Sequence, residues 1–252
     1  MQEHMAPLKI HLYTICWNEE RMLPHFLAYY SGFCEKIVVY DNFSTDRSVE
    51  ICKRFSNVDI RQYLTSGTIR DDLYQQIKNE CWKQSKGIAD WVIVCDIDEF
   101  LYHPDLTSFL TLSKANNISI FKPKGYNMIT KEFPLPNENL LKRVQYGSRS
   151  ISFDKCAIFD PNKIEEINYE AGAHQCLPIG KLVFSQDEIL LLHYKYMELN
   201  YLIQRYHLLA SRLSSYNKKY KLSFHYTFSE RKIKREFEDV WKNREQVIDS
   251  IP

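Results

Sequence analysis

Asp96, Asp98 and Glu99 stand together at the end of the apolar run Trp91-Val92-Ile93-Val94-Cys95. Three packed carboxylates repel one another and are costly to desolvate unless positive charge sits among them. A divalent cation is the simplest candidate. Residues two apart on an extended segment face the same side, roughly 6–7 Å apart. One carboxylate could then hold the metal while the other meets the metal's water or a ribose. Magnesium and manganese favour carboxylate, water and phosphate oxygens, so Mg2+ or Mn2+ is the expected cofactor. The alternative is an acidic loop that caps the following helix.

The elements around this motif place it. A β-branched apolar run of this length reads as a strand buried on both faces, the kind found inside parallel sheets. The first half of the chain alternates strand and helix signals. Strands are expected at 9–15, 36–40, 59–63 and 91–95, with helices at 22–30, 47–55, 71–85 and 106–115. The run 118–121 is expected to continue this pattern. Such βαβα order specifies a parallel sheet with right-handed crossovers. Three of its loops carry polar groups: Cys16-Trp17-Asn18-Glu19, Asp41-Asn42 and Asp96-Ile97-Asp98-Glu99. In a doubly wound sheet these loops emerge at one edge, where ligands bind. Asp41 and Asn42 suit the hydrogen-bonding edge of a base or ribose, and Trp17 suits stacking on a base. Each also has a structural reading, as helix cap or core residue.

After Lys122 the pattern breaks at Pro123, Gly125, Pro134 and Pro136, and the chain to about Gly147 reads as loops. Further strands are expected at 151–159 and 181–192, and helices at 201–216 and from about Ser229. From Tyr201 onward there are 11 Lys or Arg against 6 Asp or Glu. This basic tail is a solvated face or a contact with an anionic membrane surface. The expected division is a catalytic domain at 1–200, with a nucleotide-binding half at 1–122 and an acceptor half at 123–200. A basic helical extension at 201–252 packs on the same domain.

Composition narrows the function classes. A net charge of +1 argues against a nucleic-acid partner. Seven cysteines with no C-x-x-C pair disfavour a disulfide framework or structural zinc and fit a reducing cytoplasm. Met1 to Pro7 has no apolar core, so no signal peptide is expected. The absence of G-x-G-x-x-G and of a P-loop lysine motif disfavours dinucleotide oxidoreductases and P-loop enzymes. Phe100 stands where a D-x-D-x-T phosphatase would not place it. A nucleotidyltransferase would want a basic Gly-rich loop after the first strand. A non-catalytic nucleotide- or glycan-binding scaffold of the same fold is a further alternative.

Ile15-Cys16-Trp17-Asn18-Glu19-Glu20 resembles the P-T-Y-N-E-E-like run of family 2 type glycosyltransferases with the GT-A fold. Val38-Val39-Tyr40-Asp41-Asn42-Phe43-Ser44-Thr45-Asp46 resembles their V-V-D-x-G-S-T-D element, with Phe43 at the usual glycine. Asp96-Ile97-Asp98 resembles their D-x-D motif. Tyr169 to Gln175 and Leu192 to Tyr196 resemble landmarks of members that build bacterial polysaccharides. The resemblance implies a GT-A-like α/β fold with a Rossmann-like, mostly parallel central sheet flanked by helices. It implies metal-dependent transfer of a sugar from a nucleotide-sugar donor to a hydroxyl of a glycan, polysaccharide or lipid-linked acceptor, with inversion. On that basis Asp96, Asp98 and His193 would hold the metal. Cys16, Trp17, Glu19, Asp41, Asn42, Arg70, Asp71, Asp96 and His174 would contact the nucleotide sugar. Glu170, with Asp154 second, would be the base. The enzyme would be cytoplasmic, with its basic C-terminal helices able to meet the inner face of the membrane.

Overall fold

The computed structural model describes residues 7–249. The expectation about the chain's start falls mostly outside them. Along the chain come β1 (Ile10–Cys16), α1 (Leu23–Tyr30), β2 (Lys36–Asp41), α2 (Ser48–Cys52), β3 (Val58–Gln62), α3 (Asp71–Glu80), β4 (Trp91–Val94), β5 (Glu99–Tyr102) and α4 (Leu106–Ala115). Then follow β6 (Lys124–Thr130), α5 (Leu140–Arg143), β7 (Tyr146–Arg149), β8 (Ile158–Phe159), β9 (Ile164–Glu166), β10 (Ile179–Gly180) and β11 (Leu190–Met197). The remaining elements are α6 (Leu199–Ser211), α7 (Ser215–Tyr220), α8 (Glu230–Lys242) and β12 (Glu245–Gln246).

The first sheet has the order β3-β2-β1-β4-β8, with β1 to β4 parallel and β8 antiparallel at the edge. Side chains alternate across it with period two. Leu12, Ile37, Val39, Trp91 and Ile93 join one core with Leu23, Phe26, Leu27 and Tyr30 of α1. Tyr13, Val38, Val92 and Val94 join another with Trp82 and Phe159. Burial on both faces explains the continuous apolar runs of β2 and β4. The fold is the mixed α/β architecture expected from the strand–helix alternation.

The second sheet, ordered β12-β7-β6-β11-β5, departs from expectation. The stretch read as loops between Pro123 and Gly147 forms β6, α5 and β7. Pro123 lies just outside β6, and Gly125 within it lies where the backbone of Phe153 passes so close that a Cβ would sit 2.4 Å from Phe153 Cβ. The strand expected at 151–159 shrinks to the two residues of β8, preceded by a 3-10 turn at Ile151–Phe153. Asp154 holds that turn by accepting the Gly125 N–H at 2.8 Å and pairing with Arg149. The strand expected at 181–192 shifts to β11, whose Leu191, Leu192, Tyr194 and Met197 are buried. Ile120 forms isolated bridges instead of a strand. The helix expected at 201–216 breaks at Arg212, and α7 restarts after the Ser214 cap. Ser229 caps α8, whose Ile233 and Phe237 pack against Ile129, Tyr196, Leu202 and Tyr206.

Candidate functional site

A cavity of about 450 Å3 opens at the carboxyl edge of β1 and β4. Its floor is the Asp96-Ile97-Asp98 turn between β4 and β5. The turn is fixed from both sides. Tyr30 of α1 donates its hydroxyl to the Glu99 carbonyl at 3.0 Å and accepts the Leu101 N–H at 2.9 Å. Glu99 folds back to accept the Asp96 N–H at 3.0 Å. On the far side β11 pairs with β5, bringing His193 opposite Glu99, and the Tyr194 N–H donates to the Asp98 carbonyl at 2.7 Å.

The three carboxylates do find positive charge, but lysine supplies much of it. Lys78 Nζ lies 2.6 Å from Asp96, and Lys155 Nζ lies 2.6 Å from Glu99 and 3.7 Å from Asp96. Lys78, Lys155 and Glu99 are all buried. Burial pushes the Asp96 carboxyl up, but Lys78 and Lys155 outweigh it and hold Asp96 well below the usual carboxylate range. Burial lowers the Lys155 ammonium's proton affinity, but Glu99 and Asp96 overcome that and raise it. Asp96 is therefore turned toward cations of the chain, unlike the metal-ligand role the D-x-D resemblance implied.

Asp98 has a different partner. Its carboxylate lies 3.2 Å from His193 Nε2. His193 Nδ1 lies 2.8 Å from Asn127 Oδ1, its cross-strand neighbour on β6. An amide oxygen only accepts, so Nδ1 carries a proton and Nε2 faces the carboxylate. Phe153 stacks on the imidazole with centroids 3.9 Å apart. Burial raises the Asp98 carboxyl's affinity for protons, but His193 reverses this and lowers it. Among the described residues no group of three or more His, Cys, Asp or Glu converges as a metal cage. The Asp98–His193 pair nonetheless fits a hard divalent cation that takes its other ligands from phosphate and water. Asp98 and His193 would be the residues to hold one.

The other sequence-derived candidates divide into those in the cavity wall and those outside it. Trp17, Glu19, Asp71, Asp96, Asp98, His174 and His193 line it. His174 Nδ1 lies 2.9 Å from the Ser152 carbonyl, and burial, then Lys155, lower its proton affinity. Burial pushes Glu19 up to about 7, against the pull of its partner Arg205. Asp71 accepts the Ser223 hydroxyl at 2.7 Å, and burial raises its carboxyl. Cys16, Asp41 and Asn42 are buried behind the wall. Asp41 accepts the Ser44 N–H with both oxygens at 3.2 Å. Arg70 forms a bidentate pair with Asp72 outside the cavity. Both expected bases also lie outside it: Glu170 is exposed, and Asp154 is tied to Arg149 by two bonds of 2.7 and 2.6 Å.

Much of the motif chemistry holds the loops after β1 and β2 together. Asn18 Oδ1 accepts the Thr45 N–H at 2.7 Å, Ser44 accepts the Asn18 N–H, and Asp46 accepts the Glu20 and Ser48 N–H groups. Sequence reasoning missed Lys78, Lys155, Arg205 and Arg212. Arg205 donates to the Trp17 and Asn18 carbonyls and pairs with Glu19. Arg205 lies within α6 and Arg212 caps its C-terminus, and nothing in the local sequence sets either apart from a solvated helix cation. The C-terminal segment, expected as an extension, thus forms part of the wall, with Tyr206, His225 and Tyr226.

The fold resembles that of S. aureus TarS 1-349 in complex with UDP, at 16% identity and a TM-score of 0.50, covering 81% of this chain and 65% of that one. The same TarS fragment in complex with UDP-GlcNAc matches at 16% identity and a TM-score of 0.47, over 81% of this chain and 66% of that one. Glucosyl-3-phosphoglycerate synthase from Mycobacterium tuberculosis, with Mn2+, UDP and glucosyl-3-phosphoglycerate, matches at 15% identity and a TM-score of 0.32, over 48% of this chain and 44% of that one. The chain spans less than two thirds of the length of these solved chains. No curated protein matches the sequence. The motifs resembled family 2, but a different family model fits residues 13–251, nearly the whole chain, and the protein belongs to glycosyltransferase family 92.

Proposed function

We propose that the chain transfers a sugar from a nucleoside-diphosphate donor to an acceptor hydroxyl of a glycan or lipid-linked acceptor, with inversion. The observation that carries this reading is the pairing, in one cavity wall, of Asp98–His193 with the Lys78 ammonium, backed by Lys155 buried behind Asp96 and Glu99. A leaving diphosphate is stabilised by a bound cation, by basic side chains or by both. A bound Mn2+ or Mg2+ at Asp98 and His193 would supply Lewis-acid charge to the diphosphate oxygens. Lys78 and Lys155 orient Asp96 and keep positive charge beside it. Asp96 faces the donor's ribose or phosphate side, with Trp17, Asp71 and His174 around it. The bound UDP of the TarS structure supports UDP as the donor nucleotide.

Inversion needs a base on the acceptor side. Glu170 and Asp154 have no place in the cavity wall, so this role passes to Glu19, whose proton affinity lies near 7. Residues 1–122 carry most donor contacts and the base Glu19 in this reading, 123–200 the rest of the acceptor side, and 201–252 closes the wall. Seven unpaired thiols, six of them buried, suit a reducing compartment. The apolar side of α8 is taken up by Ile233 and Phe237, so any membrane contact would be electrostatic.

The test is thermal stabilisation by UDP, GDP, dTDP and CMP, with and without Mn2+. A ligand of the folded state raises apparent stability by mass action. UDP is expected to stabilise the parent, more strongly with Mn2+, and Asp98→Asn should erase the Mn2+ increment. Stabilisation by none of the nucleotides would overturn the reading.

A further inference from the structure

Arg212 ends α6 with its guanidinium 3.4 Å from the centre of the Trp17 ring. It is 8% exposed and lines the cavity. Nη2 donates to Asn42 Oδ1 at 2.7 Å, and Nε donates to the Gly67 carbonyl at 3.0 Å. Nη1 is buried and has no hydrogen-bond partner among the described residues. A buried donor left unmet is costly, more so when it belongs to a charged group. The groups first expected to read a base are already engaged. Asn42 Oδ1 accepts from Thr65 as well as Arg212, and its amide donates to the Tyr63 carbonyl. Asp41 holds the Ser44 N–H.

We propose that Arg212 is the base-reading residue, its Nη1–H donating to a carbonyl oxygen on the edge of the donor's nucleobase. The inference rests on the nucleotide-donor reading above. Trp17 packs one face of the guanidinium, and Asn42 and Gly67 fix its plane. A guanidinium only donates, so it favours a base edge that offers a carbonyl acceptor. In this reading Lys78, Asp98 and His193 of the cavity wall would meet the diphosphate rather than the base.

The experiment titrates UDP, uridine and inorganic pyrophosphate into the full chain by calorimetry, with Mn2+ present. Arg212→Lys keeps the charge and loses the fork. It should weaken uridine and UDP at least tenfold and leave pyrophosphate within twofold. Arg212→Gln keeps a neutral N–H donor and should recover part of the uridine affinity, which a merely structural cation would not allow. Circular dichroism melts establish that both variants fold. Pyrophosphate weakened as much as UDP would make Arg212 a phosphate contact and overturn the proposal. Unchanged uridine affinity in both variants would overturn it too. A parent that binds neither UDP nor uridine would instead sink the nucleotide-donor reading itself.

Discussion

Burial and Arg205 pull the Glu19 carboxyl in opposite directions, and burial prevails, leaving it at about 7. A base must be deprotonated before it acts, so turnover should rise as pH climbs through about 7. Glu19→Gln should remove that acid limb and lower kcat by roughly 10²–10⁴-fold. A kcat profile that keeps its limb in the variant would return Glu19 to the single role of clamping Arg205. Phe43 illustrates a different residue-scale rule. It replaces the glycine of the resembled motif yet keeps φ at +54°, the left-handed region glycine favours. A non-glycine residue there is strained by about 1–2 kcal/mol, and Phe43, at 48% exposure, has limited packing to lose. Phe43→Gly should therefore stabilise the fold by about 0.5–1 kcal/mol after glycine's entropy is counted. Urea denaturation showing a loss of stability would contradict this.

At the scale of elements, the 3-10 turn at Ile151–Phe153 links β6 to His193. Gly125 admits Phe153, and Phe153 stacks on His193. Gly125→Ala should cost about 1–3 kcal/mol through overpacking and weaken Mn2+ binding in the presence of UDP. Calorimetry reads the second effect directly, and unaltered Mn2+ affinity would uncouple the turn from the site. This turn also shows why legibility differed along the chain. β1, β2 and β4 announce themselves because strands buried on both faces are apolar throughout and end abruptly in polar loops. β6 carries Gly125, Tyr126 and Asn127, dictated by contacts with Phe153 and His193 that lie far off in sequence, so its pattern resembles a loop. Trp17, Asp98 and His193 were legible through motifs. Lys78, Lys155 and Arg212 were not, because an isolated cation in a helix or loop looks like solvated surface until the fold buries it.

The whole molecule should respond to acid through His225. Burial, with help from Lys195 and His193, lowers this imidazole to about 4. It rests 4.1 Å from the Tyr226 ring and 5.6 Å from the Tyr206 ring. Above its ordinary value of 6.5 the histidine is neutral whether the chain is folded or not. Between about 6.5 and 4 the unfolded chain takes up a proton that the folded one refuses, so stability falls as pH drops through that window. The loss should be on the order of 2 kcal/mol once solvent screening is allowed for. His225→Phe should flatten the dependence, as read by urea melts at pH 7.5 and pH 4.5, and an unchanged slope would assign the acid response elsewhere.

The position of β11 between β5 and β6 has a kinetic consequence. The opposition of His193 to Glu99 and to Asn127 comes from ladders joining segments distant along the chain. Such long-range pairings close slowly, because loop entropy is lost before contact is gained. During synthesis the Asp96 turn therefore emerges long before the strand that partners it. A nascent chain can complete its parallel sheet with the acidic turn still open to solvent, and the Asp98–His193 pair waits on the arrival of one late strand.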